Sequence, residues 1–274
     1  MNYLRPDKTS ALRRDLAELK ALPRPVYGHA EGLPNKPLSY RHSHPWVQLS
    51  YAARGVVHVH TSNGLFVAPP QRAIWIPAGI QHQVYCSADT QINSLYIASE
   101  AASRHNATCK VLGVTPLLRE LIRSFGSLPV EYDESGPDGR LVRVLLDQLS
   151  CAPVTGLMLP LPNDPRLRKL CDALQARPDS QESLNRWAAR LDVSERTLSR
   201  LFTQQTGLTF RLWRQRLRLL SALPLLERGE RVTDAALACG YDSLSAFIAA
   251  FGEQFGTTPG EFFSRSSPGP GPTS

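Results

Sequence analysis

The sequence predicts an α+β protein in two parts, a small β-barrel or sandwich followed by an all-helical half. Three observations predict it. Between residues 38 and 98, the segments WVQLSY, GVVHVHT, GLFVAP, AIWIPAG, HQVYC and SLYIAS are short and rich in β-branched and aromatic residues. Gly, Pro, Asn or Asp separates them, which is the pattern of strands in an antiparallel sandwich or small barrel. After residue 110, apolar residues recur at helical spacing. The chain has 274 residues, a length suited to two domains, and its 42% hydrophobic content can fill two cores.

Residues 1–37 read as an N-terminal arm, charged, with three prolines among the first 25 residues. Residues 38–110 form the barrel. Helices follow within 111–150. Leu117, Leu118, Leu121, Ile122 and Phe125 make one apolar face, and Leu141, Val142, Leu145, Leu146 and Leu149 another, with Gly126 and Gly136 between them. Faces this wide either cover the barrel or form a dimer interface, and the interface is the expectation. The stretch CAPVTGLMLPLPNDP holds four prolines, which makes 151–162 the linker. Residues 163–264 are helical throughout, and 265–274 form a disordered tail.

The net charge is +7, and 26 of the 31 basic residues are arginine. Arginine presents a rigid fork of donors suited to phosphate and to guanine edges, although GC-rich codon usage also enriches it. Residues 183–218 hold eight arginines against Asp192 and Glu195, a local +6, whereas 219–264 hold two against six acids, a local −4. Five cysteines (86, 109, 151, 171 and 239) contain no C-x-x-C pair, which argues against a disulfide framework and against a zinc finger. The N-terminus lacks an apolar leader, and no run of about 18 apolar residues occurs. The expectation is a cytoplasmic protein with no membrane partner.

The helical half contains a repeat. In SERTLSRLFTQQTG (194–207) and SLSAFIAAFGEQFG (243–256), a serine is followed eight residues later by phenylalanine and thirteen residues later by glycine. Ser194 and Ser243 suit helix N-caps, and Gly207 and Gly256 suit the left-handed position that ends a helix. A short amphipathic segment precedes each copy, Leu184, Trp187, Ala188 and Leu191 in the first, Val232, Ala235, Ala236 and Cys239 in the second. Two short helices, a tight turn and small residues at the crossing make a helix-turn-helix, at about 183–204 and again at about 232–255. In the first copy Leu198, Leu201 and Phe202 point inward, which leaves Arg196, Ser199, Arg200 and Thr203 toward solvent or DNA. In the second, Leu244, Ser245 and Ile248 occupy the outward positions without charge, suited to thymine methyls or backbone positioning. The connecting segment, with about 18 helical residues, spans about 27 Å, close to one turn of DNA. Pro224 within it predicts a kink.

Residues 163–264 resemble the DNA-binding domain of the AraC/XylS family of bacterial transcription regulators. The resemblance rests on LNRWAARLDVSERTLSRLFTQQTGLTF and VTDAALACGYDSLSAFIAAFGEQFGTTPGEF. It implies two helix-turn-helix units on one long helix, with Arg196, Ser199 and Arg200 at base-contacting positions of the first and Leu244, Ser245 and Ile248 of the second. Gly252 and Glu253 stand where many relatives carry basic residues, so phosphate contacts there should be poorer.

In the first half, His42 and His44 fall on one face of an extended strand. The spacing H-x-H-x3-Q-x6-G, from His42 through His44 and Gln48, is followed by P-x-G-x2-H ending at His82. These resemble the two motifs of cupins, whose fold is a jelly-roll barrel, with Gln48 in place of the usual glutamate. The resemblance implies that His42, His44, Gln48 and His82 form the metal or effector site. One reading is a divalent transition metal content with nitrogen ligands, such as Ni, Zn or Cu. The other is a polar lining for an organic effector. His58 and His60 also share a face but have no downstream counterpart, and read as strand surface.

The combined expectation is a sequence-specific transcription regulator, an activator of a neighbouring efflux or metabolic gene. It would bind double-stranded promoter DNA, work with RNA polymerase, act as a homodimer, and be controlled by a small effector or metal ion in the barrel. The rival is a metal-dependent cupin enzyme, dioxygenase- or isomerase-like, fused to a DNA-binding domain. Such an enzyme needs acid–base groups in its cavity, and Asp89 is the sole acid within 38–98, so no catalysis is expected.

Overall fold

The computed structural model describes residues 21–28, 40–86, 90–102 and 108–264. Most of the expected arm, the C-terminal tail and Asp89 lie outside the described residues. Ten strands and nine α-helices are described: β1 (Val26–Tyr27), β2 (Val47–Arg54), β3 (Val57–Thr61), β4 (Gly64–Ala68), β5 (Arg72–Ile76), β6 (His82–Cys86), β7 (Gln91–Ile97), β8 (Lys110–Gly113), α1 (Pro116–Phe125), α2 (Pro137–Cys151), β9 (Val154–Thr155), β10 (Met158–Pro160), α3 (Pro165–Ala176), α4 (Leu184–Arg190), α5 (Glu195–Thr206), α6 (Phe210–Glu227), α7 (Val232–Ala238), α8 (Leu244–Phe255) and α9 (Pro259–Ser264).

The expected barrel takes the form of two sheets, one of six strands in the order β1-β7-β2-β5-β8-β9 and one of four in the order β10-β4-β3-β6. Every pairing is antiparallel. Strand alternation sets the two faces. Val47, Leu49 and Tyr51 of β2 join Ala73, Trp75, Leu95 and Leu112 in a core with Leu118, Ile122 and Phe125 of α1 and Val142, Leu145 and Leu149 of α2. Gln48, Ser50 and Ala52 take the other face of β2, toward the second sheet.

Two expectations change here. The apolar faces of α1 and α2 cover the six-stranded sheet, so their width reflects burial within the chain, although Leu117 and Val144 remain exposed. The stretch expected as linker is woven into both sheets. Val154 and Thr155 pair with Leu112 and Val111 of β8, and Met158 to Pro160 pair with Phe66 to Gly64 of β4. Prolines at 153, 160 and 162 tolerate such short edge strands because edge residues need not donate.

The outer face of the four-stranded sheet is covered by the helical half. A single apolar cluster runs from Leu65, Val67 and Leu159 through Leu167, Leu170 and Leu174 of α3 to Trp213, Leu217 and Leu220 of α6. Polar contacts cross the same boundary. Trp213 Nε1 donates to Pro160 O at 2.7 Å, Arg168 to Ser62 O at 3.0 Å, and Gly55 N to Glu227 Oε1 at 2.7 Å. His58 and His60 lie on this face, so it is not open strand surface. Burial pushes the His58 imidazole down to about 4. Among the described residues, no helix is long and apolar enough to cross a membrane.

Candidate DNA interface and histidine site

The two copies of the sequence repeat fold alike. Ser194 caps α5 by accepting from Thr197 N at 3.1 Å, and Ser243 caps α8 by accepting from Ala246 N at 3.2 Å. Gly207 and Gly256 end these helices at φ 71° and 73°. The turns match as well. Val193 N donates to Ala188 O at 3.1 Å and Tyr241 N to Ala236 O at 3.0 Å. Each turn reverses through a left-handed residue two positions beyond the first helix, Asp192 at φ 53° and Gly240 at φ 81°. A Cβ on Gly240 would meet Asp179 Cα at 2.7 Å, so glycine is required there both for φ and for space.

Leu198 and Phe202 of α5 are buried, and the Phe202 ring meets Phe210 and Trp213 edge-on at 5.5 and 5.7 Å. That anchoring turns the opposite face of α5 outward. Arg196, Arg200 and Thr203 are exposed and Ser199 half-exposed, and among the described residues no ion pair or hydrogen bond holds either arginine. On α8, Phe247 and Phe251 are fully buried, which leaves Leu244, Ser245 and Ile248 exposed. The 18-residue helix α6 runs unbroken through Pro224 and joins the two units.

Part of the basic strip is structural, which charge counting could not distinguish. Arg190 pairs with Glu182 at 2.7 Å and lies over the Trp187 ring. Arg214 donates to Glu182 O, and Arg218 to Pro178 O and Ser180 O. A cleft of about 300 Å³ that was not anticipated lies between α6 and the second unit, lined by Arg211, Arg214, Gln215, Arg218 and Tyr241 with Ala246 and Ala250. The helical spacing of Arg211, Arg214, Gln215 and Arg218, which puts them on one face of α6, was its only sequence signal.

In the sandwich, the structure brings His42, His44 and His82 together, each with a ring nitrogen within 4.8 Å of the others'. Backbone bonds build the frame. His42 N donates to His82 O at 3.0 Å and His82 N to His42 O at 2.9 Å, while Gly79 N donates to His44 O at 2.9 Å. Gly79 adopts φ 76° in the turn that delivers His82 to β6. Gln48 is buried below the rings. Its Oε1 lies 2.9 Å from His44 Nε2 and 3.2 Å from His82 Nε2, and its Nε2 donates to Ser50 Oγ at 2.9 Å and Ser94 Oγ at 3.4 Å. Trp46 stacks on His44 at 5.6 Å and Tyr96 meets it edge-on at 5.8 Å. Burial holds the His44 imidazole below its ordinary range and pushes His82 down to about 4, so both are neutral near pH 7. Ser50, Ser94, Trp46 and Tyr96 were not anticipated. The polar alternation Gln48–Ser50 within an otherwise apolar strand was the available clue.

Comparison with known proteins follows the same division. Residues 25–150 match the AraC-like ligand binding domain family, and residues 187–265 match a helix-turn-helix domain family. The chain is 36% identical over 224 residues, 82% of each chain, to the HTH-type transcriptional regulator NimR of Escherichia coli K12. It is 36% identical over 101 residues, 36% of each chain, to the HTH-type transcriptional activator RhaR of Klebsiella pneumoniae. Among solved structures, ToxT from Vibrio cholerae O395 aligns over 87% of this chain and 95% of its own at 13% identity, with a TM-score of 0.37. A ligand-binding domain ahead of a doubled helix-turn-helix, matched over most of its length by a transcriptional regulator, places this chain in the AraC family of DNA-binding transcription regulators.

Proposed function

We propose that this regulator reads promoter DNA through two successive major-groove contacts, and that a small effector or metal ion received at His42, His44, Gln48 and His82 governs that binding. In the first unit, Arg196 and Arg200 face guanine edges, with Ser199 and Thr203 beside them. In the second, Leu244, Ser245 and Ile248 make apolar and positioning contacts. The observation that carries this reading is the pairing of two matching helix-turn-helix units on α6, about 27 Å long, with the two arginines exposed on the leading recognition helix and, among the described residues, held by no ion pair or hydrogen bond.

Control of DNA binding requires an effector that binds two states of the protein with different affinity. The bonds from Trp213 to Pro160, Arg168 to Ser62 and Gly55 to Glu227 support a sensing role for the sandwich, because they tie its strands and loops directly to α3 and α6. The reading further includes a homodimer, supported by the exposed Leu117 and Val144 on neighbouring helices, a cytoplasmic location, and activation of a neighbouring gene through RNA polymerase. No catalytic step belongs to it.

A pull-down of genomic fragments by the purified full-length chain, with and without chelator, tests the reading. The expected result is enrichment of a small set of sites that share two half-motifs about one helical turn apart, with recovery that changes on chelation or on addition of an effector. Recovery of random fragments in proportion to their abundance would contradict it.

A further inference from the structure

The second helix-turn-helix unit has no unpaired cation among the described residues. Residues 219–264 carry two arginines and six acids. Both arginines are paired, Arg228 with Glu230 at 2.8 Å and Arg231 with Asp234 at 3.0 Å. A duplex presents one negative charge for about every 1.7 Å of its length, and a helix seated in its major groove has a phosphate strand along either side. Beside this acidic unit lies the basic cleft. Arg211, Arg214, Gln215 and Arg218 of α6 line it from one side, Ala246 and Ala250 of α8 from the other, and no carboxylate is among its lining residues.

The buried guanidiniums are held in place without being neutralised. Arg214 donates to Glu182 O at 2.9 Å and lies over the Phe210 ring at 5.7 Å. Arg218 donates through Nε to Pro178 O and through Nη2 to Ser180 O, each at 3.1 Å. A carbonyl fixes a guanidinium but carries no charge to cancel it, and with five N–H groups each arginine keeps donors to spare. Burial first, then the like charge of Arg218, holds the Arg214 guanidinium below its ordinary range. Arg211 is exposed, and among the described residues no ion pair or hydrogen bond holds it. The Tyr241 hydroxyl is buried, has no hydrogen-bond partner among the described residues, and is pushed up to about 12 by burial. It therefore adds a donor to the cleft and no negative charge.

Successive side chains on a helix point about 100° apart. On α8, Phe247 and Phe251 face the core, Ser245 and Ile248 face outward, and Ala246 and Ala250 fall between, on the flank turned to α6. With α8 in its groove, the strand along that flank passes over the cleft. It is the strand that separates this groove from the one taken by α5. Resting on the reading of this chain as a two-groove DNA binder, we propose that Arg211, Arg214 and Gln215 bind a backbone phosphate of the strand between the two half-sites. The connecting helix α6 thus supplies the phosphate contact that the acidic second unit lacks. Arg218, tied to the carbonyls of residues 178 and 180, is a positioning residue. Such a contact seats α8 without reading sequence.

The test uses the full-length chain and a promoter fragment recovered with it. Arg211→Ala removes a side chain that holds nothing in the fold, so the unfolding temperature should stay at the wild-type value. Affinity should fall about tenfold, by the same factor for the promoter and for promoters with single base changes. The slope of log affinity against log salt should shrink by about 0.9, the share of one phosphate. Arg211→Lys should restore that slope. Neutral methylphosphonate linkages, placed singly along the strand between the half-sites, should weaken the wild type at one or two adjacent positions and leave Arg211→Ala indifferent there. An unchanged slope in Arg211→Ala, or the absence of any such position, overturns the proposal, while selective promoter binding by the same proteins leaves the DNA-reading function standing. Inorganic phosphate that raises the unfolding temperature of the wild type but not of Arg211→Ala, with no change in salt slope, gives the cleft to a free anion and overturns the duplex assignment. A wild-type chain that selects no promoter fails the two-groove reading, and this proposal with it.

Discussion

Gly240 and Asp192 occupy the same place in the two copies, and they differ in what they tolerate. Gly240 combines φ 81° with contact against Asp179. Gly240→Ala should therefore cost about 1–3 kcal/mol, seen as a lower denaturation midpoint, and should weaken DNA binding by loosening the second unit. Asp192 sits at φ 53° on an exposed turn, a conformation that glycine adopts without cost. Asp192→Gly should leave stability unchanged or raise it by up to about 1 kcal/mol. The same residues measure what the sequence disclosed. The caps Ser194 and Ser243 and the terminators Gly207 and Gly256 were legible because their chemistry is local. Which arginines stay free was not legible. Arg214 and Arg218 are taken up by carbonyls of residues 178–182, some 32–40 positions away, and no local pattern encodes that encounter.

At the level of elements, β9 and β10 show why the proline-rich stretch misled. Proline density reports an absence of helix and of central strands, but short edge strands meet the same condition. Pairing with β8 and β4 depends on partners more than 40 residues upstream in β8's case and more than 90 in β4's, by the registers Val111↔Thr155 and Phe66↔Met158. The helices α1 and α2 carried a similar ambiguity, since an apolar face looks the same whether a sheet or a second subunit covers it. Leu145, fully buried against the six-stranded sheet, fixes the answer. Leu145→Ala should destabilise the sandwich by about 2–5 kcal/mol in thermal or urea unfolding, whereas Val144→Ala, exposed on the same helix, should change folding by under about 0.5 kcal/mol. Where α6 meets β10, Trp213→Phe removes the bond to Pro160 O and leaves that carbonyl without its indole donor. A loss of about 1–2 kcal/mol is expected, together with a weaker response of DNA binding to the effector.

Across the whole molecule, the two halves share one apolar cluster, and the outer face of the four-stranded sheet is inside that junction. His58 makes the junction sensitive to acid. Folding lowers its imidazole from the ordinary 6.5 to about 4, by burial first and by the neighbouring His60 second. The unfolded chain thus takes up the proton at a higher pH than the folded one. The stability that depends on a neutral His58 is fully present above pH 6.5 and is lost as the pH falls toward 4. Unfolding midpoints measured between these limits should decline with acid, and His58→Leu should make that decline shallower. His60, His44 and His82 are lowered by burial as well, so the remaining slope belongs to them. The division into a β half and a helical half was legible from periodicity alone. The docking of one on the other was not, because Leu65, Val67 and Leu159 look like any strand residues until α3 and α6 are placed against them.

The central claim is that the leading recognition helix docks on duplex DNA through Arg196 and Arg200. Its most direct measurement is the affinity and selectivity of Arg196→Ala, Arg200→Ala and the double variant for a promoter fragment recovered with the wild-type chain, against a scrambled duplex at fixed salt. Each substitution should cost about 1–3 kcal/mol of discrimination, roughly 5- to 150-fold, while the unfolding temperature stays at the wild-type value. A double variant that holds its promoter as tightly and as selectively as the unaltered protein would contradict the account.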